Sequence, residues 1–129
     1  MIHQVRVIFG DTDQMGVVYY ANYLRYYESA RAAMMRDRGL SGRALTRLGV
    51  QFPVAEASCR YRRPAHYEDL LDVDIGVAAL GHASIRFSYA IRRGEELLAE
   101  GHTMHACIDS GGRPRRIPPE LRAAFAPGA

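Results

Sequence analysis

Val5, Val7 and Phe9 alternate with Gln4, Arg6 and Ile8, the period of two expected of a strand with one buried face. Turn residues follow from Gly10 to Gly16. Asn22 suits a helix start. Beyond it Tyr23, Tyr27, Ala30 and Met34 recur at helical spacing, while Arg25, Arg36 and Arg38 fall largely elsewhere. The pattern predicts a long helix to about Arg38, closed by Gly39 at the C′ position. A shorter helix is predicted over Gly42–Leu48.

The period then returns to two. Val54–Arg63 alternates imperfectly and stops at Pro64, and Leu70–Ala79 reads as a strand ending near Gly81. Ile85, Phe87, Tyr89 and Ile91 alternate with Ser84, Arg86, Ser88 and Arg92 before a hairpin turn at Arg93-Gly94-Glu95. Leu97–Asp109 reads as the last long strand, Ser110-Gly111-Gly112 as a turn, and Pro118-Pro119 as the opening of a short helix. One strand, one long helix and four strands in meander predict an α+β fold, a helix layered on an antiparallel sheet, in a single domain over 1–129.

Composition narrows the class. With 129 residues, 48% of them hydrophobic and 24% charged, the chain can bury a core as one globular domain. No apolar run approaches the ~20 residues of a membrane span, so no membrane insertion is expected. MIHQVRVIF lacks a signal-peptide pattern, which predicts the cytoplasm, where Cys59 and Cys107 would stay free thiols. The net charge is +3, and all 17 basic side chains are arginine. Such an excess reads as solvated faces or as preparation for an anionic ligand, since arginine grips phosphate in a bidentate fork. No helix carries a basic stripe interleaved with aromatics, so nucleic acid is not expected.

Several motifs reduce to ordinary structure. Asp11-Thr12-Asp13 with Gly16 matches calcium-loop positions 1, 3 and 6, but position 5 is Met15, position 12 is Asn22, and the loop follows a strand. His102 and His105 are three apart on a strand and face opposite ways, and His105 with Cys107 supplies only two ligands. No metal or cofactor is expected. Glu28 and Arg31 read as an ion pair within the helix, and Asp11 as a turn or cap group. Asp13 is different. It precedes a helix start, where free N–H groups point outward, and it neighbours apolar and aromatic residues. A carboxylate there can attack, or activate water at, a carbonyl that those donors polarise.

The strand VRVIF, then GDTDQMGVVYYANYLRYYESAR, then RYRRPAHYEDLLDV, and finally GHTMHACIDSGGRPRRIP together resemble the hotdog-fold acyl-CoA thioesterases of the 4-hydroxybenzoyl-CoA thioesterase type, most nearly the branch associated with the Tol-Pal envelope system. The resemblance covers most of the chain. It implies a five-stranded antiparallel sheet wrapped around one long helix, and dimers or tetramers with active sites at the dimer interface. It places the catalytic aspartate on Asp13 and the carbonyl-polarising backbone N–H on Tyr20. Much of the Tol-Pal branch has histidine at the Tyr20 position, so any proton transfer by that imidazole is absent here.

The reaction expected is hydrolysis of an acyl-CoA to free acid and CoA, with Asp13 as nucleophile or general base. A thiol leaving group with a pKa of about 8.5 needs no strong general acid. Gly16, Val18 and Phe52 are further expected substrate contacts. Arg62, Arg63 and the turn around His82 and Ser84 are the expected contacts of the CoA phosphates. Two other readings remain: a hotdog-fold acyl-thioester dehydratase, which needs a histidine paired with a carboxylate, and an acyl-CoA or acyl-carrier binding module of lipid and envelope machinery.

Overall fold

The computed structural model describes residues 1–126. β1 (Ile2–Arg6), β2 (Val54–Tyr61), β3 (Leu70–Leu80), β4 (Ser84–Arg93) and β5 (Glu96–Ala106) form one antiparallel sheet in the order β1-β3-β4-β5-β2. α1 (Asn22–Asp37) lies on the sheet, followed by α2 (Gly42–Leu48), and α3 (Pro119–Phe125) closes the described chain. Tyr23, Tyr27, Ala30 and Met34 are buried against Leu71, Val73 and Ile75 of β3 and Ile85, Phe87, Tyr89 and Ile91 of β4. At the centre the Tyr27 and Tyr89 rings stack with centroids 4.1 Å apart and planes 10° from parallel.

Only β3, β4 and β5 form a meander, which corrects the expected four. β2 pairs with β5 at the opposite edge from β1. The chain leaves β1, crosses in α1 and α2, and starts β2 beyond the far side of the meander it has yet to build. β2 approaches β5 so closely that a Cβ on Gly101 would lie 2.0 Å from the Ser58 carbonyl oxygen. Only glycine fits there.

The ends of three strands also differ from the sequence pattern. β2 stops at Tyr61 rather than Arg63, where Arg62 N–H and Arg63 N–H both turn to Leu98 O. β1 stops at Arg6, short of Phe9. Val7 is the last inward residue; its N–H donates to Asp69 O at 2.9 Å and its carbonyl accepts Glu68 N–H at 3.0 Å. The chain then enters a 3-10 turn over Phe9–Asp11, which leaves Phe9 75% exposed. β5 stops at Ala106 rather than Asp109, because Ile108 exchanges both backbone bonds with Gln51 instead. Asn22 is the first helical residue and not the cap, a position taken by Ala21. Its amide reaches back to donate to Asp11 O at 2.9 Å.

Candidate active site

The loop between β1 and α1 is a small hairpin. Thr12 pairs with Val18. Asp13 N–H donates to Val17 O at 2.9 Å, and Gly16 N–H donates to Asp13 O at 3.0 Å. Gly16 has φ of 79°, a left-handed conformation glycine adopts at no steric cost. Its contribution is thus to turn the loop. The hairpin is fastened to the residues before β3, where Val18 N–H donates to Ala65 O at 2.9 Å and Val17 bridges to His66.

The two aspartates of the loop have separate tasks. Asp11 is buried. Its carboxylate accepts from Tyr26 O–H at 2.8 Å and Ile8 N–H at 3.4 Å, with Arg25 at 3.8 Å. Its carbonyl accepts from Tyr19 N–H as well as the Asn22 amide. Burial first, and the Asp11 carboxylate second, push the Tyr26 phenol above its usual range, so it remains the donor at neutral pH. Asp11 is the fastening between loop and helix, as a turn or cap residue should be. Asp13 has no ion-pair partner among the described residues. Its Oδ1 accepts Met15 N–H at 2.8 Å, which fixes the carboxylate in an Asx turn and leaves Oδ2 without a hydrogen-bond donor.

Asp13 and Tyr20 line one cavity of about 310 Å³ together with Val18, Tyr61, Arg62 and Arg63. Tyr20 stands just before α1. Its N–H has no acceptor among the described residues, whereas its carbonyl accepts Tyr23 N–H at 3.4 Å and Tyr61 O–H at 2.9 Å. Burial, then the Cys59 sulfur, push the Tyr61 phenol up to about 12, so it is always a donor here. A carboxylate with one free oxygen and a helix-start N–H with no partner, facing one apolar-walled hollow, can serve a reaction that builds negative charge on a carbonyl oxygen.

Tyr61 was not among the residues expected at the site. It follows Cys59 in the alternation of β2, a weak signal; its contact with Tyr20 depends on the register of β2 against β5. Arg62 and Arg63 line the cavity, and each already holds a carboxylate, Glu100 at 2.8 Å and Glu96 at 3.3 Å. A phosphate would have to compete for them.

Phe52, His82 and Ser84 are not brought to this cavity within the chain. His82 and Ser84 occupy the β3–β4 turn, where Ser84 O accepts Gly81 N–H and His82 O accepts Ile117 N–H. The Asp13 loop is fixed near the start of β3 and this turn follows its end. An 11-residue strand separates them by about 30 Å or more at ~3.3 Å per residue. Phe52 lines a separate cavity beside α1 and α2. Glu28 and Arg31 do not pair either, since Arg31 donates instead to the Tyr89 hydroxyl at 3.0 Å.

The histidines are placed away from Asp13. His66, opposite Val17, comes nearest by register, yet it does not line the cavity, and its Nδ1 lies 3.8 Å from Asp69. His102 and His105 face opposite sides of the sheet, as their spacing predicts. His102 lies between Ser58 Oγ at 2.8 Å and Glu56 Oε1 at 2.6 Å, an order that evokes a hydrolytic triad. It sits on the open face of the sheet, in none of the cavities that hold Asp13, Tyr20 or Phe52.

Residues 7–125 match the family model described as the thioesterase-like superfamily. The chain is 35% identical over 123 residues to the acyl-CoA thioester hydrolase YbgC of Escherichia coli O6:H1, covering 94% of this chain and 92% of that protein. It is 35% identical over 118 residues to a 1,4-dihydroxy-2-naphthoyl-CoA hydrolase of Synechococcus elongatus, covering 89% of this chain and 87% of the other. Among solved structures, a 1,4-dihydroxy-2-naphthoyl-CoA thioesterase from Synechocystis superposes with a TM-score of 0.89 at 26% identity, over 96% of this chain and 93% of that one.

Proposed function

The chain belongs to the thioesterase-like superfamily and is an acyl-CoA thioester hydrolase of hotdog fold, and on that premise we propose that hydrolysis takes place in the cavity that Asp13 and Tyr20 share. One observation carries the assignment: the Asp13 carboxylate is fixed through Oδ1 by Met15 N–H, and its Oδ2 and the helix-start N–H of Tyr20, which lines the same cavity, have no partner among the described residues. The thioester carbonyl oxygen would rest on the Tyr20 N–H, where the start of α1 adds partial positive charge. Charge growing on that oxygen is then stabilised more in the transition state than in the ground state.

Two balanced routes are open to Asp13. In one, Oδ2 attacks the carbonyl carbon, the C–S bond breaks, CoA leaves as thiolate, and water cleaves the resulting mixed anhydride. In the other, Asp13 takes a proton from water as its oxygen attacks, and the thiolate leaves to be protonated in solution. A single turnover in ¹⁸O-water followed by rapid quench separates them. Label in Asp13 marks an anhydride opened at the Asp13 carbon; where label enters the product alone, a covalent acyl–Asp13 adduct in the quenched enzyme marks the anhydride route and its absence the water route.

Arg62 and Arg63 are the proposed phosphate contacts, reached by exchanging Glu100 and Glu96 for the nucleotide. Phe52 lines a different cavity and His82 and Ser84 lie a strand's length from the Asp13 loop, so these three are placed against the substrate from a second copy of the chain. That fits a homo-oligomer whose sites lie between subunits. Support for assembly comes from β2, an edge strand with Val54 51% and Tyr61 47% exposed. No helix among the described residues is long and apolar enough to cross a membrane, and both cysteines are free, which supports a cytoplasmic protein. Placement in the Tol-Pal branch is part of the proposal. YbgC and the naphthoyl-CoA hydrolase are equally similar to this chain, and Tyr20 departs from that branch, so the acyl group is best assigned by assay.

The test is Asp13→Asn against Asp11→Asn in a free-thiol assay over several acyl-CoAs. Asp13→Asn should lose at least about a hundredfold in kcat with its circular dichroism unchanged, because the amide is neither base nor nucleophile. Asp11→Asn should mainly lower stability. Full activity in Asp13→Asn would remove the assignment.

A further inference from the structure

The second cavity, of about 500 Å³, lies between α1, α2 and the helix-facing side of β4 and β5. It shares no lining residue with the Asp13 hollow. Its volume falls within the range of small-molecule sites, about 300–1,000 Å³. Leu45, Phe52, Phe87 and Phe125 form apolar walls. The aromatic rings set one another edge to face, Phe52 with Phe125 at 6.1 Å and Phe87 with Phe125 at 6.0 Å.

One cation is built into this apolar space. Arg31 lines it and is anchored by a chain of hydrogen bonds with a single direction. The Phe52 carbonyl can only accept, so His105 Nδ1 donates to it at 3.0 Å. Burial, together with the Arg31 charge, holds His105 below its usual pKa, so the ring is neutral and Nε2 accepts. Thr103 must then donate to Nε2 at 2.9 Å, Tyr89 must donate to Thr103 at 2.6 Å, and Arg31 donates to the Tyr89 oxygen at 3.0 Å. Tyr89 is itself pinned by stacking on Tyr27.

This network uses one N–H of Arg31. A guanidinium has five, and the other four have no acceptor among the described residues, nor does any carboxylate lie within ion-pair distance. Arg36 adds a second positive charge to the lining and Glu28 a negative one, both exposed. The excess is positive.

We infer that this cavity binds an organic monocarboxylate with an apolar body, such as a medium-chain fatty acid, its carboxylate on Arg31 and its body among Leu45, Phe52, Phe87 and Phe125. The argument is charge complementarity. A part-buried, pre-oriented guanidinium is matched by a carboxylate in two parallel N–H···O bonds, and the walls around Leu45, Phe52, Phe87 and Phe125 suit an apolar body. Within one chain the cavity shares no residue with the Asp13 hollow, so the inference stands or falls independently of Asp13.

The experiment is titration of the full chain with decanoate, followed by calorimetry and amide chemical-shift mapping, with decanol as the uncharged control. Decanoate should bind with shifts centred on Leu45, Phe52 and Phe87 rather than Val18 and Tyr61. Decanol should bind at least about tenfold more weakly, given the strength of charge-assisted bonds. Arg31→Gln should lose at least about tenfold, and Arg31→Lys should recover part of the loss, while Asp13→Asn binds like the parent. Equal binding of decanoate and decanol, equal binding by Arg31→Gln, shifts confined to the Asp13 loop, or no binding by the parent at millimolar decanoate would each overturn the inference. Should Arg31→Gln fail to fold, the decanol comparison and the shift map decide alone.

Discussion

Asp11 spends its carboxylate on Tyr26 O–H and Ile8 N–H, whereas Asp13 keeps one oxygen free. The distinction could be read from the sequence because the two carboxylates fall at different places in a strand–turn–helix pattern. Tyr20 is the sharper case. Its ring lies tilted by 52° against Tyr19 at 4.8 Å and meets Tyr61 edge-on at 6.3 Å, contacts that phenylalanine preserves. Tyr20→Phe should therefore stay within about tenfold of the parent in kcat, or about 1.4 kcal/mol of barrier. Losing an oxyanion donor costs about 3 kcal/mol or more. A several-hundredfold drop in folded Tyr20→Phe would mean that the hydroxyl takes part in the chemistry. The Tyr61 brace and the engagement of Arg62 and Arg63 by Glu100 and Glu96 could not be read ahead. Both depend on which residues of β2 and β5 face each other, a long-range pairing that local propensity does not encode.

At the scale of elements, the periodicities located α1, α2, β3, β4 and the Gly94-Glu95 hairpin to within a residue or so. They missed where β2 goes, because alternation records a strand's faces and not its neighbours. They also overran β1, since Ile8 and Phe9 continue the alternation although the 3-10 turn has already left the ladder. That turn must be held against the start of β3, and Asp69 does much of the holding. Its carboxylate accepts His66 N–H at 2.8 Å and the Arg93 guanidinium at 2.6 Å, with Arg93 also bonded to Glu96. Partial burial works to raise the Asp69 pKa, but the His66 N–H and Arg93 outweigh it, and the net shift is downward. A carboxylate with a depressed folded pKa stabilises the fold above its unfolded value of about 3.9, and the contribution disappears as pH falls through the lower folded value. Asp69→Asn should thus cost about 1–2 kcal/mol at neutral pH, and the gap to the parent should narrow below about pH 3.9. Urea melts at neutral and acid pH measure this; a gap that is constant across the range would exclude the ion pair as its source.

At the scale of the molecule, the hotdog architecture leaves one long edge uncovered. β2 is exposed at seven of its eight positions, and an open strand edge is a template for pairing. Sedimentation at micromolar concentration should give at least twice the 14.4 kDa of one chain; the mass of a single chain would refute assembly through this edge. The distance of about 30 Å between the Asp13 loop and the β3–β4 turn, from strand rise alone, then carries a kinetic consequence. A substrate shorter than that which touches both classes of residue would have to be shared between two molecules of protein. Catalytic capacity would follow the law of mass action. On serial dilution the rate per milligram would not stay constant but would fall once the concentration drops below the dissociation constant of the pair, and excess acyl-CoA would restore it by binding only the paired form.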